Sequence, residues 1–79
     1  MEKTLADIAV GETGTVLGFA KGSNGYRQKL LAMGMIKGTD FLVIRVAPLG
    51  DPVEIRVRGY SLSLRRDEAA ALRVQEVGQ

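Results

Sequence analysis

The chain contains no cysteine and no histidine, and these two absences remove a great deal of chemistry at once. Without cysteine there is no disulfide framework and no thiolate nucleophile, which suits a reducing compartment. Without histidine the commonest metal ligand and general base is missing. Charge of one sign is also scarce: eleven basic against nine acidic residues leave +2, ordinary for a soluble domain and short of a strong polyanion binder. The longest apolar stretch, Leu30 to Ile36, falls far below the roughly 20 residues of a membrane span. Met1-Glu2-Lys3-Thr4 is too short and too charged to begin a signal peptide. The expectation is a soluble, cytoplasmic chain without direct membrane insertion. Its 79 residues, 1–79, make one domain. A domain of that size buries only about 60% of its unfolded surface and has little room for an enclosed active site.

What is present is a proline-bracketed hairpin. Two apolar runs, Phe41 to Val46 and Val53 to Val57, are joined by Ala47-Pro48-Leu49-Gly50-Asp51-Pro52. Pro48 presets φ at the second position of a type I turn whose fourth position is Gly50, and Pro52 makes Asp51 extended. In the returning run Val53, Ile55 and Val57 alternate with Glu54, Arg56 and Arg58, the period of a strand with one wet face. The outgoing Phe41-Leu42-Val43-Ile44 is apolar on both faces, so its outer side calls for a cover, either a helix of the same chain or a partner surface. Upstream, Thr4 followed by Asp7 has the spacing of a capping box, predicting a helical turn that tucks Leu5 and Ile8 inward. Val10-Gly11-Glu12 is a turn and Thr13 to Phe19 a strand, with Gly14 and Gly18 marking tight bends or bulges. After the loop Lys21 to Gly25, Ser23 or Asn24 caps a helix from Tyr26 to Met33 that Gly34 ends in a left-handed conformation. Leu30 and Met33 share one side of it, with Tyr26 and Leu31 at the flanks. Tyr60, Leu62 and Leu64 supply another strand. Asp67 and Glu68 open a helical turn through Ala69 to Leu72, where their charge suits the amide end, and Arg73 to Val77 is the last strand.

Five short strands with one inserted helix and helical turns predict a mostly β fold, a small SH3-like barrel. Three stretches in order and at matching spacing carry a resemblance. They are Tyr26-Arg27-Gln28-Lys29-Leu30-Leu31-Ala32-Met33-Gly34-Met35 with Gly38, Arg45-Val46-Ala47-Pro48-Leu49-Gly50-Asp51-Pro52, and Ser61-Leu62-Ser63-Leu64-Arg65. Together they resemble the FeoA family, over nearly the whole chain from Leu5 to Val77. The resemblance implies a small bacterial cytoplasmic protein of the ferrous iron uptake system, with an SH3-like fold, working beside the membrane permease FeoB. The loop Lys21 to Gly25 carries none of it.

The chemistry legible in the residues is sparse. Gly22-Ser23-Asn24-Gly25 before a helix offers free amides to a phosphate, but the P-loop spacing and its lysine are absent. Gly14 and Gly18 match GxxxG, which has no membrane meaning in a strand. Of the carboxylates Glu2, Asp7, Glu12, Asp40, Asp51, Glu54, Asp67, Glu68 and Glu76, only Asp67 and Glu68 adjoin, and such a pair at a helix start serves the dipole more often than a metal. Met33 and Met35 are poor ferrous ligands unaided. The expectation is therefore no catalytic residue, no metal site and no cofactor. Arg45, Arg56, Arg58, Arg65 and Arg66 form a candidate nucleic-acid stripe, against which stand the neutralising Glu54, Asp67 and Glu68 and the scarcity of aromatic platforms, with only Phe19, Tyr26, Phe41 and Tyr60 available. Nucleic acid is not expected as a partner.

Apolar side chains at this spacing, Leu30, Met33, Met35 and Ile36, are more often core than interface. Around one helix end they nevertheless exceed what a small barrel needs, so a docking patch is expected there. Tyr26, Leu30, Met33 and Met35 are its predicted anchor, and Arg27, Lys29 and Lys37 its predicted charged rim. Charged replacements at Leu30 and Met35 are then expected to abolish FeoB binding while sparing the fold. Regulation of the FeoB GTPase through Arg27, Arg65 or Arg66 is a sharper variant. A homo-oligomeric scaffold and a nucleic-acid module are the alternatives.

Overall fold

The computed structural model describes residues 3–22 and 24–77. Met1, Glu2 and the alternative helix cap Ser23 lie outside the described residues. In chain order the elements are β1 (Lys3–Thr4), a 3-10 turn (Leu5–Asp7), β2 (Thr13–Phe19), α1 (Asn24–Ala32), β3 (Asp40–Val46), β4 (Val53–Val57), β5 (Tyr60–Leu64), α2 (Arg66–Ala70) and β6 (Leu72–Val77). All strand pairs are antiparallel, in the order β1-β6-β2-β3-β4-β5. The sixth strand, beyond the five expected, is the two-residue β1 on the outer side of β6.

The hairpin forms as its residues dictate. Gly50 N–H donates to the Ala47 carbonyl at 2.7 Å, closing the turn begun by Pro48, and Gly50 has φ +82°. The Asp51–Pro52 peptide is cis. Val53, Ile55 and Val57 are buried, Glu54 is half-buried and Arg56 exposed. Arg58 is not a strand position. With φ +48° it forms a two-residue turn with Gly59 at +84°, both left-handed as a type I′ hairpin requires.

Bulges fall between Val16 and Gly18 and between Val43 and Arg45, bending β2 and β3 so that the sheet curls around one core. Gly14 lets the curl close: a Cβ there would stand 2.7 Å from Phe41 Cζ and 2.9 Å from the Gln75 carbonyl oxygen. The helical pieces close the ends. Thr4 N–H donates to Asp7 Oδ2 at 2.9 Å, as the capping box predicts, and Leu5 and Ile8 are buried. The same turn packs against α2, so two short helical segments meet across the gap between the outer strands. α2 ends two residues earlier than expected, and Leu72 enters β6 wholly buried.

Candidate functional site

The inward stripe of α1 is Tyr26, Leu30 and Met33, spaced i, i+4, i+7 on one side of the helix. Leu30 is 0% exposed, and Tyr26 and Met33 are half-buried against the core. Gly34, at φ +88°, terminates the helix as expected. Its amide donates to the Leu31 carbonyl at 3.0 Å, and the Met35 amide donates to the Leu30 carbonyl at 3.0 Å. This pair of bonds is the Schellman motif, in which the second residue past the helix folds back against the third-last helical residue. Here those two residues are Met35 and Leu30, and both are 0% exposed.

The expectation that Leu30 and Met35 anchor a docking surface is thereby corrected. The glycine cap turns Met35 under the helix, and the pair becomes core rather than contact. A charge at either position would be buried without a partner, so the replacements expected to spare the fold would instead disrupt it.

The rim residues are scattered over different tasks. Arg27 is exposed, its guanidinium 5.5 Å from the centre of the Phe19 ring. Lys29 reaches across to α2, its Nζ 2.5 Å from Glu68 Oε2. Glu68 is only 3% exposed, and its other oxygen accepts the Arg65 N–H at 2.9 Å, capping α2. The Lys29 ammonium holds the Glu68 carboxyl below the usual carboxylate range; burial opposes this and the Arg65 N–H adds to it. Lys37 is exposed beyond the helix.

Arg58 also has a structural task. Its guanidinium donates to the Gly34 carbonyl and to Thr39 Oγ1, each at 3.2 Å, while Tyr60 Oη donates to the Met33 carbonyl at 3.3 Å. The β4–β5 turn is thus tied to the Met33 and Gly34 carbonyls just past the end of α1. What remains exposed and apolar around that end is Leu31 at 42%, Ile36 at 46% and Tyr60 at 43%. From the sequence, Leu31 reads as a flank of the helix and Tyr60 as an alternating strand residue, while Ile36 counts among the apolar groups whose excess predicts a patch, though not among its anchors. The available signal was that adjacent helical residues point about 100° apart, so Leu30 and Leu31 do not both face one core.

On the opposite side of the sheet, Leu42 and Ile44 are half-buried on the outer face of β3. Leu42 lines a shallow groove with Thr13, Asp40, Arg56 and Val77. Among the described residues no cluster of three or more His, Cys, Asp or Glu side chains lies together, and no helix is long and apolar enough to cross a membrane. The candidate arginine stripe is interrupted: Arg45 lies 3.7 Å from Glu54, and Arg58 is turned to α1.

The architecture defines a small SH3-like β domain. A solved structure of Stenotrophomonas maltophilia FeoA in complex with zinc, described as a prokaryotic SH3 domain protein, superposes with TM-score 0.77 at 21% identity, over 92% of this chain and 89% of that one. The FeoA domain matches residues 3–76, and the chain belongs to the FeoA family. The FeoA-like protein of Clostridium acetobutylicum superposes with TM-score 0.89 at 33% identity, over 99% of this chain and 90% of its own. A fusion of Fe(2+) transport protein A with the Fe(2+) transporter FeoB from Porphyromonas gingivalis is 34% identical over 71 residues. That alignment spans 90% of this chain but 8% of the fusion protein.

Proposed function

We propose that the protein is a non-enzymatic, cytoplasmic accessory of ferrous iron uptake that acts by binding the cytoplasmic side of the FeoB permease. The observation that carries this reading is the P. gingivalis relative, in which a FeoA segment and a FeoB transporter share one chain. Covalent fusion fixes two modules at high effective concentration, and that benefits modules whose work requires contact.

The contact surface in this reading is the exposed end of α1. Leu31, Ile36 and the edges of Met33 and Tyr26 supply apolar area, and Arg27 and Lys37 supply positive charge for acidic groups on the transporter. Lys29 belongs to the rim only through its ion pair with Glu68, which positions α1 against α2. A double variant, Leu31→Asp with Ile36→Asp, changes exposed positions and is expected to keep the fold. Its loss of co-purification with FeoB from bacterial membranes is the expected result. Undiminished capture by the folded variant would reject this surface, and failure of the unmodified chain to capture FeoB would reject the partner.

A further inference from the structure

We infer that Arg58 is a positioning residue of the transporter contact, its guanidinium clipping together the two ends of the loop that presents Ile36. The inference rests on the reading of that contact given above and says how part of its apolar surface is held in place.

The backbone at Arg58 is the first observation. Among the described residues it is the one non-glycine residue with a positive φ, +48°. Both central positions of a type I′ turn need that conformation, and Asn-Gly is the pair that adopts it most readily. A long side chain with a Cβ is disfavoured there and contributes nothing to the turn itself. An arginine held in a conformation that suits asparagine or glycine points to a task of its side chain.

What that side chain reaches is the second observation. Nη1 donates to the Gly34 carbonyl and Nη2 to Thr39 Oγ1, each at 3.2 Å. One planar group thus bridges the residues that begin and end the loop between α1 and β3. The Thr39 hydroxyl donates to the same Gly34 carbonyl at 3.4 Å, so the three groups form a closed circuit, and Thr39 is only 4% exposed. A Cβ at Gly34 would stand 3.1 Å from Nη1, so the glycine that ends the helix also admits the guanidinium.

Within the loop, the Ile36 N–H donates to the Gly34 carbonyl at 2.9 Å and the Thr39 N–H to the Ile36 carbonyl at 3.1 Å. The Thr39 end is fixed to β2, with the Val16 N–H donating to the Thr39 carbonyl and the Gly38 N–H to the Val16 carbonyl, both at 2.8 Å. The Gly34 end belongs to the helix cap, and Arg58 locks it to the Thr39 end. Buried Met35 keeps the loop on the core without Arg58, so removing the fork should loosen Ile36 rather than unfold the segment. A loop that holds its binding position for only part of the time binds more weakly by that fraction. Lysine would keep the charge but not the fixed fork of two nitrogens, which separates a brace from a direct charge contact.

The test compares Arg58→Asn and Arg58→Lys with the unmodified full chain by urea unfolding, amide exchange in NMR and titration against purified FeoB. Arg58→Asn should keep or raise the unfolding midpoint, because the turn then has the residues it favours. The Ile36 and Thr39 amides should exchange about tenfold faster while those of β4 hold. Affinity for FeoB should fall about fivefold. Arg58→Lys should show the same loosening and the same loss. Full binding by the lysine variant would make Arg58 a charge contact, and unchanged exchange at Ile36 and Thr39 would remove the clip; either result overturns the inference. So would loosening with affinity intact, or a lower midpoint of Arg58→Asn with faster exchange in every strand. Failure of the unmodified chain to bind FeoB would reject the transporter reading and this inference with it, a result told apart from the others because the exchange measurement needs no transporter.

Discussion

The β3–β4 hairpin and the segment from α1 to Gly38 carry similar apolar content but submit to sequence reading very differently. In β4 the burial of Val53, Ile55 and Val57 follows from alternation alone, because a strand has two faces and a shift of one residue would expose all three. In α1 the neighbours Leu30 and Leu31 differ from 0% to 42% exposed, and Met35, outside the helix, is as deeply buried as Leu30. Two faces leave a binary choice, whereas a helix with a folded-back cap leaves a continuous one. Apolar residues near a helix end are thus poor guides to a docking surface until the cap geometry is known.

The largest effects should separate residues that are adjacent in sequence. Leu30→Ala is expected to lose about 2–5 kcal/mol in urea unfolding, comparable to Ile55→Ala in the hairpin. Leu31→Ala should stay within roughly 0.5 kcal/mol. Equal losses at Leu30 and Leu31 would break the contrast. Gly14→Ala comes next: its Cβ meets the Phe41 ring and an immovable carbonyl, and an overpacking loss of about 1–3 kcal/mol is expected by the same measurement. A neutral result there would mean that the curled sheet yields more easily than α1.

Glu68→Gln tests the tie between α1 and α2. Losing the charge-assisted bond and weakening the cap should cost about 1–2 kcal/mol at neutral pH. Because the folded carboxyl titrates below its ordinary 4.5, its stabilisation is complete above that value and fades as pH falls through the lowered one. The unmodified chain should therefore lose stability more steeply below about pH 4.5 than the variant does; parallel acid limbs would remove Glu68 as the cause. The smallest effect is expected for Lys3→Met on β1. Its pair with Glu76 is open to solvent, and its small shift in unfolding midpoint should vanish near 1 M salt, where the screening length is about 3 Å.

Much of the architecture was legible because it rests on local rules. Pro48 and Gly50 mark the turn, Thr4 and Asp7 the first cap, and Gly34 the helix end, each through a backbone demand that few residues meet. The left-handed Arg58 escaped because arginine gives no such signal; only its Gly59 neighbour hinted at a turn. Two of the patch residues, Leu30 and Met35, were misplaced for a different reason, the fold-back past Gly34 that buries both. Tyr26 and Met33 lie on the core side with Leu30, and Lys29 is drawn to Glu68, a residue nearly forty positions away whose place at a helix start was legible but whose partner was not.

Local stereochemistry, then, was written in the chain: strand period, turn positions, caps, and the lack of imidazole and thiol that narrows the chemistry. The curl of the sheet decided the rest. It brought α2 beside the first turn and Lys29 to Glu68, and left β5 last in the described sheet, because burial and charge pairing depend on distances between residues far apart in sequence.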